Sequence, residues 1–232
     1  MISEQQQNPR YAPGHQLHQE ITSRIELEEV MRDAELIVIA VPSQALASCI
    51  HSLKPYYHGQ ILVLASKGWQ SSNFSPFSNL IKVVLGEVPL VILSGGSHAE
   101  EVMKKNPTGV VLASEKKTDA DQVSAFFQNQ RFRCHRSPDI IGVQLMGAFK
   151  NVIALGCGIA EGLGYGANTK ALLLTQGVQE LLSIGEVLGT SSETFISFAG
   201  LGDLYVTASS PLSRNRNAGR LLAQGHSKEE IT

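Results

Sequence analysis

One lysine stands out in this sequence. Across GVQLMGAFKNVIALGCGIAE (142–161), Lys150 is the only formal charge until Glu161 closes the stretch. Val143, Leu145, Met146, Phe149, Val152, Ile153, Leu155 and Ile159 surround it on every side of a helix. A helix apolar all round is a buried helix, and lysine is seldom buried without a partner. Burial also disfavours the ammonium and lowers its pKa, which suits an amine to proton transfer near neutral pH. The competing reading is a lysine that snorkels from a core helix to the surface. Further polar residues sit where a ligand would lie. Lys67 directly follows an apolar run, where it could meet a negative substrate group or simply reach solvent. Ser94-Gly95-Gly96-Ser97 ends another run, and Asp203 follows the Gly200-Leu201-Gly202 turn. Ser213-Arg214-Asn215 opens a helical stretch. A helix start attracts anions, and an arginine there can grip a phosphate through paired hydrogen bonds. The alternatives are ordinary turn chemistry at the strand ends, an N-cap at Ser213, and solvated side chains at Arg214 and Arg216.

These residues need a scaffold. Apolar runs at 36–41, 61–65, 90–93 and 109–113 read as buried strands. Helical spacing lies between them at Leu27–Ala34, from Pro42-Ser43 onward, at 76–85, around Ala99–Met103 and at 120–128. This alternation predicts a parallel sheet with helices on both faces, an incomplete Rossmann-like α/β arrangement over 1–137. In such sheets ligands bind beyond the carboxyl ends of the strands. After Phe132–His135 the strand signals thin, and 138–232 reads as an all-α part. Within it, 169–189 forms a helix whose apolar face is Leu172, Leu173, Leu181, Leu182, Ile184 and Val187. Residues 1–20 read as irregular. The only G-x-G-x-x-G-like spacing, 162–167, follows a helix instead of a strand, so it fails as a dinucleotide fingerprint.

The 232 residues carry a net charge of −2 and 43% hydrophobic side chains, which gives neither a basic field for nucleic acid nor a polybasic membrane patch. The best apolar candidate for a membrane span is interrupted by Lys150 and glycines. The start has no secretory pattern, and Cys49, Cys134 and Cys157 fit reduced thiols, so a cytoplasmic protein is expected. His15 and His18 lack further clustered ligands, and no metal site is expected.

In combination, NPRYAPG (8–14), AVPSQ (40–44), ASKG (65–68), SGGSHAEEV (94–102), GAFKNVIALGCGIAEGLG (147–164), AGLGDLYVT (199–207) and SPLSRNRNAG (210–219) resemble the bacterial type of NAD(P)-dependent glycerol-3-phosphate dehydrogenase. The resemblance runs over essentially the whole chain. It implies an enzyme that interconverts dihydroxyacetone phosphate and sn-glycerol 3-phosphate with NAD or NADP for glycerophospholipid synthesis. By motif matching, Lys150 takes the proton-transfer role. Lys67, Gly95, Ser97, Asn151, Asp203, Ser213, Arg214 and Asn215 line the substrate, while Lys67, Ala99 and Arg214 approach the cofactor. The resemblance leaves room for a homodimer. Departures from the family pattern are Gly96 for proline, His98 for an aromatic residue, Ala167 for aspartate and Gln176 for arginine. The family's glycine-rich first unit and its last helices have no counterpart here. The resemblance therefore implies a chain shortened at both ends. The alternative reading is a catalytically impaired remnant that still binds a phosphorylated metabolite.

Overall fold

A computed structural model describes residues 2–70 and 73–231. The chain opens with a short helix α1 (Ile2–Gln5) and a hairpin of β1 (Gln7–Asn8) and β2 (Ala12–Gln16). Residues 2–16 are thus more ordered than their composition suggests. The Asn8 side chain accepts the Tyr11 amide three residues on, at 3.2 Å, which helps fold the hairpin back. Next come α2 (Leu27–Met31), β3 (Leu36–Ile39), α3 (Ser43–Leu53), β4 (Ile61–Leu64), a small ribbon of β5 (Trp69–Gln70) with β6 (Ser75–Pro76), and α4 (Phe77–Leu85). They are followed by β7 (Leu90–Gly95), α5 (Ala99–Met103), β8 (Thr108–Ala113), α6 (Lys117–Phe127) and β9 (Phe132–Ser137). From there the chain is helical: α7 (Ile140–Gly162), α8 (Ala167–Val187), α9 (Ser192–Phe195), a π-turn at Phe198–Gly202, α10 (Asp203–Ser209), α11 (Arg214–Ala223) and α12 (Lys228–Ile231).

The main sheet has the order β3-β4-β7-β8-β9. Its inner strands alternate faces as the pleat demands. Leu62 and Leu64 of β4 pack with Met31, Leu46, Ile50 and Ile81, while Val63 turns to the other face with Val91, Val110, Leu112 and Val123. Two expectations need correction. First, the sheet is mixed, because β8 runs antiparallel to β7 while every other neighbouring pair is parallel. A parallel return needs a crossover long enough to travel back along the strand. The five-residue α5 does not make that journey, so β8 starts at the end where β7 stops. Second, β3 is shorter than the 36–41 run and is buried on one face only. It is an edge strand, and Val38 is half-exposed.

In the helical part α7 is the axis, packed against α8, α10 and α11. Its 23 residues would suit a membrane by length and composition, yet over half of its most apolar window is buried within the protein. It is not enclosed on all sides, however, since Val152 and Ile159 are exposed. The face expected on α8 is likewise split: Leu181 is buried, whereas Leu172, Ile184 and Val187 are exposed.

The closest packing joins α7 to α11. A Cβ added to Gly158 or Gly162 would run into the carbonyl oxygen of Arg216 or Arg220, and one on Gly219 would run into that of Leu155. Small residues let the two backbones meet there. Gly156, on the same helix, faces open space. Gly158→Ala is therefore expected to lower unfolding stability by about 1–3 kcal/mol through overpacking. Gly156→Ala should raise it by about 0.5–1 kcal/mol through helix propensity. Urea melts of the two variants check this, and similar midpoints for both would contradict the tight contact.

Candidate active site

The carboxyl end of β7 meets α7 where Ser94 lies against Gly147, and α10 packs on the same helix. Three residues far apart in sequence converge there. Asp203 is the first residue of α10 and only 2% exposed. One of its carboxylate oxygens accepts from Lys150 Nζ, and the other accepts from Lys67 Nζ at 2.7 Å. Lys150 is 6% exposed, so it does not snorkel. Its ammonium also donates to Thr207 Oγ1 at 2.8 Å, and that hydroxyl donates to the Asp203 carbonyl at 2.6 Å. Lys67 donates a further bond to the Gly95 carbonyl at 3.0 Å and remains partly open to solvent.

Local structure explains this convergence. The Ser197 hydroxyl accepts the amides of Ala199 and Gly200, starting the π-turn. Gly200 then takes a non-helical conformation against the Thr194 and Phe195 carbonyls, where no side chain would fit. The chain leaves that turn with Asp203 at a helix start, where a carboxylate is favoured. Thr207 follows one turn later on the same face. On the strand side, Gly147 of α7 sits over the Ser94 hydroxyl, so the helix approaches β7 closely.

Two ammonium groups share one carboxylate, and the charges do not cancel. Burial, and then repulsion from Lys67, outweigh the attraction of Asp203, bringing the Lys150 pKa down from 10.5 to about 8. An amine in that range can give or take a proton near neutral pH.

The other residues singled out by the sequence fall around this cluster unevenly. Ser97 Oγ donates to the Gly95 carbonyl at 3.4 Å, at the end of β7. Ala99 is exposed at the start of α5. Asn151, next to Lys150, accepts from the Asn215 amide at 2.9 Å, which ties the first turn of α11 to the site. Ser213 is buried and serves as the N-cap, accepting the Arg216 amide at 3.3 Å. Arg214 is exposed, and its guanidinium makes no hydrogen bond or ion pair among the described residues. Arg216 is not solvated: its guanidinium donates to both oxygens of Glu161, at 2.7 and 3.1 Å. Sequence reasoning missed Thr207 and the Glu161–Arg216 pair. The four-residue spacing from Asp203 to Thr207 was a usable signal for the first, and nothing local signalled the second.

Residues 1–120 match the family description "NAD-dependent glycerol-3-phosphate dehydrogenase N-terminus", and residues 139–232 match the corresponding C-terminus. The chain belongs to the NAD-dependent glycerol-3-phosphate dehydrogenase family. It is 42% identical to a glycerol-3-phosphate dehydrogenase [NAD(P)+] of Syntrophomonas wolfei, over 99% of this chain and 68% of that protein. It is 41% identical to the Clostridium tetani protein of the same name, over 99% of this chain and 66% of that one. It therefore spans about two thirds of the length of these relatives. The crystal structure of glycerol-3-phosphate dehydrogenase from Coxiella burnetii superposes with a TM-score of 0.96 at 33% identity, covering 99% of this chain and 71% of that one.

Members of this dehydrogenase family use NAD or NADP. The start of α3 after β3 and the partly exposed Lys67 after β4 lie at the carboxyl ends of these strands, the side on which ligands of such sheets bind. The 162–167 glycines lie in the turn between α7 and α8, so they are no phosphate loop after a strand. A separate cavity of about 520 Å³ lies at the other end of β7, beside Leu90, Ser114, Pro138 and Ser191. Among the described residues no group of three His, Cys, Asp or Glu is placed to hold a metal.

If the shared carboxylate governs Lys150, its neighbours should move its titration in opposite directions. Lys67→Met removes a repelling charge and should raise the Lys150 pKa from about 8, whereas Asp203→Asn should lower it. Nuclear magnetic resonance of 13C-labelled lysine side chains reads both shifts. Because the folded value lies below the unfolded 10.5, the folded state releases this proton first. This group's burial penalty is therefore fully present below about pH 8 and is relieved as pH rises toward 10.5.

Proposed function

We propose that this chain interconverts dihydroxyacetone phosphate and sn-glycerol 3-phosphate with NAD(P)H in the cytoplasm, as a homodimer, and so supplies backbones for glycerophospholipid synthesis. The observation that supports this reading best is the excess positive charge of the Lys150–Asp203–Lys67 cluster. A ketone being reduced develops negative charge on oxygen, and a preorganised, desolvated positive site favours that state over the neutral ketone. Lys150 would protonate the oxygen during reduction and take the proton back during oxidation. Thr207 and Asp203 hold its amine in place. When bound, the nicotinamide supplies or accepts the hydride.

The substrate's phosphate needs its own grip. Arg214 offers an uncommitted guanidinium at the start of a ten-residue helix, and the Asn215–Asn151 bond places that start beside Lys150. A phosphate held there would orient the carbonyl toward the lysines, so that binding energy remote from the reacting carbon pays for alignment. Gly95 and Ser97 lie at the strand end below, Lys67 would meet both substrate and cofactor, and Ala99 would face the cofactor.

Kinetics provide the test. The kcat/KM for ketone reduction should fall as pH rises through about 8, and that for oxidation should rise over the same interval. Lys150→Met should cost on the order of 10²–10⁴ in rate. Arg214→Ala should weaken glycerol 3-phosphate binding roughly 10- to 100-fold while leaving the weak binding of glycerol unchanged, as expected for loss of charge-assisted hydrogen bonds. Equal affinity of the unmodified chain for glycerol and glycerol 3-phosphate would sink the phosphate assignment.

A further inference from the structure

The sequence LSRNR offers two arginines on either side of Asn215, and nothing in their order distinguishes them. Their surroundings do. Arg216 is committed on all sides: its guanidinium makes a two-pronged pair with Glu161 and also donates to the Ser210 carbonyl at 3.4 Å. Its backbone amide donates to the N-cap Ser213, and its backbone carbonyl lies against Gly158 of α7. Glu161 receives a second cation, Lys170 of α8, at 3.5 Å. Burial alone would raise the Glu161 pKa, but the hydrogen bonds and charge of Arg216, aided by Lys170, outweigh it and hold the carboxyl below its usual range. The carboxylate therefore joins the end of α7, the start of α8 and the first turn of α11. Arg214 is left with no such commitment among the described residues.

We infer that Glu161 is a positioning residue for the phosphate grip: by holding Arg216 it fixes the start of α11, so that Arg214 and Asn215 are presented to the Lys150–Asn151 face of α7. The inference rests on the reading of Arg214 as the phosphate ligand and adds the device that aims it. A bidentate arginine–carboxylate pair constrains direction as well as distance, which a single lysine contact does not.

The test is a double-mutant cycle between Glu161 and Arg214, which share no hydrogen bond or ion pair, read by calorimetric titration of glycerol 3-phosphate into the full chain. Glu161→Gln keeps the shape and removes the charge, and should weaken binding roughly 5- to 20-fold. Arg216→Lys keeps the charge, loses the fork, and should weaken it in the same direction. In an Arg214→Lys background, where a flexible point charge has replaced the aimed fork, Glu161→Gln should change affinity less than about twofold. A merely structural role would instead lower Tm equally in both backgrounds and weaken binding additively, and that result overturns the inference. So does unchanged or tighter binding by Glu161→Gln. If Arg214→Lys itself leaves the affinity unchanged, the phosphate reading fails first. If Arg214→Lys weakens binding while Glu161→Gln and Arg216→Lys do not, only the positioning role is lost.

Discussion

The constraint on which this molecule turns is that one buried carboxylate must serve two ammonium groups. Asp203 bonds Lys150 through one oxygen and Lys67 through the other, and it is itself almost wholly removed from water. Desolvating three charges is expensive, and the attraction of one anion does not satisfy two cations. Lys150 bears most of the consequence, because it is the deeper of the two. Its proton is held less tightly than an exposed lysine would hold it, and any negative charge that arrives or develops nearby meets an environment already polarised for it. A stable pairing of one lysine with one aspartate would have given a structural salt bridge with the proton firmly in place. The third charge leaves one proton more loosely held instead.

Holding such a cluster together requires elements that resist relaxation. Lys67 comes from the loop after β4, Lys150 from the middle of α7, and Asp203 from the start of α10. The sheet and the helical part each contribute, so the cluster exists only where they meet. Glycines allow the approach. Gly147 lets α7 come down over Ser94, Gly200 lets the chain turn sharply into α10, and Gly158 and Gly219 draw α11 against α7. Each replaces a side chain with backbone proximity, and each brings polar groups within reach that an ordinary interhelix distance would keep apart.

What could be read from the sequence was what depends on local pattern. The isolated lysine within an apolar run, the alternation of strands and helices, and the Ser-Arg-Asn helix start were all visible, because burial period and capping are local properties. The strand direction of β8 was not, since a short apolar run looks alike in either orientation and only the brevity of α5 decides it. Nor was the exposure of Leu172 and Val187, because hydrophobic spacing says which residues share a helix face but not what covers that face. The Glu161–Arg216 pair joins residues 55 positions apart, and no spacing rule reaches that far. The cap at Ser213, by contrast, was one of the two readings open from the sequence, because capping is local.

The two neighbouring ionic clusters also obey different logic, which explains why they can coexist within one helix length of α7. At Lys150 the cations outnumber the anion inside the protein, and burial pulls the amine away from its ordinary pKa. At Glu161 the cations also outnumber the anion, yet the group lies nearer solvent, the arginine cannot give up its proton, and the carboxylate moves further into its charged form. The first arrangement leaves a proton poised to move. The second leaves none, and fixes geometry instead. On the proposed reading, a helix that carries both, with Asn151 bridging to α11 between them, would keep the mobile proton at one end of a small substrate and a rigid anion grip at the other.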